Sequence, residues 1–184
     1  MIPVAVTQLF TPAHERVAGM IDATIKQEKF ELHHTAFFSA QLVVDTDGLT
    51  FFEEPWSPEH IPHQKHYDNP VFGNMQESDM QCFRARGYGR LVGRAAYMAF
   101  SRWSKLDCVN RPDLLTELSV SYLSWVWLWQ RRKGKACADL AKENFEAGST
   151  KFVGWPDRLH ERCATYQRNL QHMRSKTNDS VDYA

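Results

Sequence analysis

The sequence predicts an α+β fold in which helices dominate, and three observations carry that prediction. Apolar residues return at helical spacing along most of the chain beyond residue 78. Phe- and Val-rich runs flank Asp45-Thr-Asp-Gly48, which reads as one N-terminal β-hairpin over about 35–54, with Gly48 supplying a positive φ. Residues 55–74 carry Pro55, Pro58, Pro62 and Pro70, whose missing N–H donors disfavour regular structure. The expectation is that hairpin packed with five or so helices.

Each element has its own signal. Thr11-Pro12 opens a first helix, with Thr as N-cap and Pro at its first position. Val17, Met20, Ile21, Thr24 and Ile25 then repeat at helical spacing to about residue 29. The hairpin follows, then a loop over 55–74 pinned by Trp56 and Tyr67. A helix is expected from about 78 to 105, weakened by Gly87, Gly89 and Gly93. Asn110 caps another over 111–132, with Leu114, Leu115, Leu118, Tyr122, Trp125, Val126 and Trp129 along one side. It should be the central buried helix, closed by the cations from Arg131 to Lys135. A short helix over 135–146 stops before Gly148, and a last one starts at Pro156 and runs to about 175. Residues 1–176 are expected to form one globular domain, with 177–184 as a frayed tail.

Composition bounds the function class. The chain has 184 residues, 43% apolar and 24% charged, which suits a globular domain rather than a disordered segment. No basic, apolar leader opens the sequence, and the most apolar segment, 114–129, falls short of the ~20 residues that span a bilayer. Cys82, Cys108, Cys137 and Cys163 form no CxxC pair and read as free thiols. A soluble protein of the cytoplasm or another reducing compartment is expected, not a secreted or membrane one.

The neutral total hides a segregation of charge. Residues 1–83 hold twelve acids and four bases, residues 84–135 three acids and eleven bases, and the remainder seven of each. Arg86, Arg90 and Arg94 recur at i, i+4, i+8, so a helix there would carry a cationic stripe, extended by Arg84, Arg102 and Lys105. Tyr88 and Trp103 interleave aromatic rings with these cations, and Arg131, Arg132 and Lys133 form a second cluster. Arginine forks bind phosphates and aromatic rings stack on bases, so the pattern points to nucleic acid or to the acidic surface of a partner protein. No RNP motif, KH loop or zinc finger accompanies it. The bland alternative is ion pairing between the acidic and basic segments.

Other motifs are weaker. His60, His63 and His66 recur every third residue, and His33 and His34 precede the hairpin. Imidazoles so grouped are candidate zinc ligands, although an extended chain separates them too widely to share one ion. Arg84-x-x-Gly87-x-Gly89 before a helix resembles the acetyl-CoA loop of GNAT acetyltransferases, and the upstream order of helix then hairpin is similar. That resemblance implies an acyl-CoA transferase whose Gly87 and Gly89 amides hold the pyrophosphate. The position of the family's acid Tyr holds Asn144 or Phe145 instead. No GxSxG, P-loop or Rossmann fingerprint is present. The leading expectation is therefore a non-enzymatic binding protein whose basic face contacts phosphates or an acidic partner. A subunit of a larger assembly, such as a viral particle or ribonucleoprotein, comes second, and the acyltransferase third.

Overall fold

A computed structural model describes residues 12–56, 70–154 and 157–179. Among these there are eight α-helices and two short 3-10 turns, and no β-strand. The extended contacts consist of two isolated antiparallel bridges, Glu53 to Arg86 and Arg86 to Leu91. The α+β expectation is thereby corrected to an all-helical fold.

The corrected hairpin is instructive. After α1 (Pro12–Glu28), the segment expected to be its first strand is α2 (Leu32–Asp45). A continuous apolar run fits a buried strand or a buried helix equally well by periodicity. Here Ala36, Ala40, Gln41 and Leu42 favour the helix, and Glu31 and His34 close a capping box at its start. The Asp45-Thr-Asp-Gly48 sequence stops this helix rather than turning a hairpin. Asp47 and Gly48 both have positive φ, and the Gly48 amide donates back to Val43 O at 2.8 Å.

The chain divides into two compact units, residues 50–128 and the segments on either side of them. In the flanking unit α2 is the core, with eleven of its fourteen residues buried. It packs against α6 (Gly134–Glu143) and α8 (Leu159–Asp179), and α6 packs in turn on α7 (Phe145–Val153). Phe37, Phe38, Trp129, Phe145, Phe152 and Tyr166 join these helices, with Phe38 and Trp129 edge to face at 5.0 Å between centroids. Gly134 lies under Trp129, and a Cβ there would fall 2.1 Å from the indole. Gly134→Ala should cost about 1–3 kcal/mol by overpacking. Urea unfolding checks this, and an unchanged midpoint would contradict the contact.

In the unit formed by 50–128, α3 (Ser78–Cys82) and α4 (Arg94–Ser104) are separate helices joined by a loop. The continuous helix expected over 78–105 is therefore interrupted, and Arg86 and Arg90 lie outside it. The chain leaves helical geometry after Cys82 and re-enters it at Gly93, the N-cap of α4, whose φ of 83 suits glycine and where a side chain would meet Phe72 O at 2.7 Å. The helix expected over 111–132 is also shorter. A 3-10 turn (Pro112–Thr116) precedes α5 (Leu118–Arg131), because Glu117 is extended between them. Phe83, Tyr97, Phe100, Leu115 and Trp127 lie in this unit's core. Trp125, Trp127 and Trp129 are all buried. Among the described residues, no helix is long and apolar enough to cross a membrane.

Candidate functional site

Buried guanidinium groups organise the polar chemistry of each unit. In the flanking unit, Arg162 of α8 is 1% exposed. It donates to Gln41 Oε1 at 2.8 Å, to Asp45 Oδ1 at 2.6 Å, and to both the carbonyl and the carboxylate of Asp157. Gln41 passes the network on to Ser149 Oγ at 3.2 Å. Asp45, the last residue of α2, is thus fixed from inside the protein. Beside it, Arg158 donates to Val44 O, to the Asp47 carboxylate and to Glu161.

In the other unit, Glu53 accepts from Arg84 at 2.7 Å and from Arg86 at 2.9 Å. Arg86 is 5% exposed and also donates to Cys82 O and Tyr97 Oη. Burial pushes the Tyr97 phenol up to about 12, so it serves there as a neutral hydrogen-bonding group. Arg94 grips both carboxylate oxygens of the buried Asp79, through Nη2 at 2.5 Å and Nε at 2.8 Å, and this holds the Asp79 carboxyl below its ordinary range. Glu54 is exposed and follows Glu53 directly.

The residues singled out by the sequence are thus dispersed. Arg84, Arg86 and Arg94 are engaged in ion pairs within their own unit. Arg90 is exposed and lies over the Phe51 ring at 4.3 Å. Tyr88 is buried. Arg102, Trp103 and Lys105 reach the surface on or just after α4. Arg131 and Lys133 are exposed, and Arg132 caps the end of α7 through Phe152 O and Val153 O. The Gly87 amide donates to Phe52 O and the Gly89 amide to Ser124 Oγ, so both amides of the acetyl-CoA-type loop have internal acceptors. His60, His63 and His66 lie outside the described residues.

A third cluster joins α2 to α6. His33 Nε2 and His34 Nε2 both lie 2.8 Å from Asp139 Oδ1, and the two imidazole centroids are 4.0 Å apart. Three potential ligand atoms converge within 4.8 Å. The hydrogen bonds decide against a metal. His34 Nδ1 accepts the Glu31 backbone N–H at 3.1 Å, so in the neutral ring Nε2 carries the proton and has no lone pair to offer. Sequence reading noticed His33 and His34 but not Asp139, and it missed Arg162 and Asp45 as a pair. Partners more than 100 residues apart leave no local spacing to read.

Comparison with known proteins adds one direction. No family model matches the chain. A protein of Haemophilus influenzae described as a glycosyl hydrolase family 19 domain-containing protein is 27% identical to it over 122 residues. The match covers 66% of this chain and 58% of that relative, so the chain spans less than two thirds of the protein it resembles.

Proposed function

We propose that this chain is a glycoside hydrolase domain, acting on the glycosidic bonds of a polysaccharide with side-chain carboxylates. The observation that carries the reading lies within the 50–128 unit, where Glu53 is held in place by Arg84 and Arg86 and the exposed Glu54 stands beside it. Hydrolysis of a glycosidic bond calls for carboxyl groups in fixed positions, one to protonate the leaving oxygen and one to activate water or attack the sugar. Asp45, Asp47, Glu53 and Glu54 fall within ten residues of sequence, and the likeness to the Haemophilus relative supports the reaction class. The test is release of reducing ends from neutral, N-acetylated and acidic polysaccharides. Asp45→Asn, Glu53→Gln and Glu54→Gln are assayed singly, each with its fold checked by circular dichroism. Loss of at least about 100-fold in kcat in one or more folded variants is expected, the scale on which acid–base groups act. Activity that survives all three substitutions would refute the assignment.

One observation favours a second reading, polyanion binding. Trp103 is 40% exposed, and Arg102 and Lys105 are exposed with it. A cation pair beside an open indole suits a phosphate backbone with an unpaired base. Under this reading, binding to labelled single-stranded DNA or RNA should weaken steeply with salt, and Arg102→Glu with Lys105→Glu should abolish it. Equal binding by wild type and double variant would count against it.

A further inference from the structure

The His33–His34–Asp139 cluster has a property that neither reading above uses. Glu31 is the N-cap of α2, and its backbone N–H, one of the orphan donors of a helix start, is satisfied by His34 Nδ1. A capping box normally uses Glu or Gln at this third position, whose side-chain oxygen accepts at every ordinary pH. Histidine accepts there only while Nδ1 is bare. His34 is 4% exposed, and its Nε2–H is committed to Asp139 on α6. The ring therefore cannot turn to offer its other nitrogen without losing that bond. Glu31, Leu32, His33 and Thr35, the cap and first turn of α2, also line a groove of about 810 Å³ that reaches Tyr166 and Met173 of α8.

We propose that the N-terminus of α2 is a proton-controlled cap. It is closed while His34 Nδ1 accepts the Glu31 amide, and protonation of that nitrogen opens it, freeing the first helical turn that walls the groove. The proton taken up at Nδ1 sets one donor against another. It also places a positive charge at the positive end of the helix dipole.

The charged groups acting on His34 are Asp139 and Lys135 of α6 and the neighbouring His33, and the Glu31 carboxylate faces the cluster from the cap, accepting the His34 backbone N–H and lying 3.5 Å from His33 Nδ1. Burial, followed by His33 and Lys135, opposes protonation, whereas Asp139 favours it. The balance holds His34 below its ordinary value of 6.5. Asp139 stays ionised through this range, because its hydrogen bonds from His33 and His34 hold it below the usual carboxyl value. The unfolded chain therefore takes up the proton first as pH falls. The cap's contribution is complete above about pH 6.5 and is lost as pH drops through the lower folded value.

The experiment is amide hydrogen exchange of residues 31–35 between pH 8 and 5, corrected for intrinsic rates, on wild type and on His34→Gln. Nitrogen NMR of the His34 ring is recorded alongside. Glutamine keeps a capping acceptor and cannot titrate. Wild-type protection of the Glu31 amide should fall roughly fivefold to tenfold toward pH 5, the scale of one lost cap. In His34→Gln, protection should stay level across the range. The wild-type ring should be the Nε2–H tautomer at pH 8. Protection that is flat in wild type, equal pH dependence in the variant, or an Nδ1–H tautomer at pH 8 would each overturn the proposal. Should the variant fail to fold, the wild-type exchange profile and tautomer decide it alone.

Discussion

Replacing Arg162 with alanine is expected to lower the stability of this protein by about 3–5 kcal/mol, the cost of removing one partner from a buried ion pair. Its guanidinium is almost wholly shielded from water and holds Gln41, Asp45 and Asp157 together. Without it, Asp45 at 13% side-chain exposure and the buried Gln41 lose their common donor, and water reaches them poorly. Arg162→Met paired with Asp45→Leu should recover a large part of the loss, because an apolar pair of similar volume costs less than a broken ionic one. Urea denaturation of the single and double variants measures both quantities. A loss below about 1 kcal/mol for Arg162→Ala would mean the network contributes little to the fold.

A second loss of similar size, about 3–5 kcal/mol, is expected for Trp129→Ala. The indole is 1% exposed and meets Phe30, Phe37, Phe38 and Phe152 at centroid distances of 5.0–6.2 Å. Gly134 closes on it from below, so the cavity left by truncation is ringed by side chains already packed against α2 and α7. The result is read as a fall in melting temperature together with binding of a small apolar probe to the new cavity. A melting point within a degree or two of wild type would show that the surroundings collapse to fill the space.

The helices of this fold were more legible in the sequence than its polar sites. Val17, Ile21 and Thr24 with the Thr11-Pro12 start point to α1, and the run from Leu114 to Trp129 points to a buried helix over 111–132 whose observed start, Leu118, lies seven residues later. The segment 35–54 failed for a physical reason. Thr35 to Val44 mixes apolar residues with the buried Thr35, Ser39 and Gln41 because α2 is buried on nearly every side, and such a run has no clear polar face to distinguish helix from strand. Asp45-Thr-Asp-Gly48 then fits a hairpin turn and a helix C-cap equally, since both require positive φ. The arginine stripe failed for another reason. Regular i, i+4 spacing means a common face only on a helix, and Gly93 starts α4 after Arg86 and Arg90 have passed. Segregation of acids and bases along the chain was visible, and in structure Glu53 meets Arg84 and Arg86 while Asp79 meets Arg94. Which acid would meet which base was not visible, because pairing across loops is set by the tertiary fold.

Hydrolysis of a glycosidic bond leaves a solvent oxygen at the new reducing end, and isotope labelling of the product detects it. Wild-type protein is incubated with each class of polysaccharide in water enriched in oxygen-18, and the released oligosaccharides are analysed at early times by mass spectrometry. For at least one class, fragments carrying a single heavy oxygen at the new reducing end are expected, above a protein-free control. Absence of labelled fragments from every class, with the protein folded, would contradict glycoside hydrolysis.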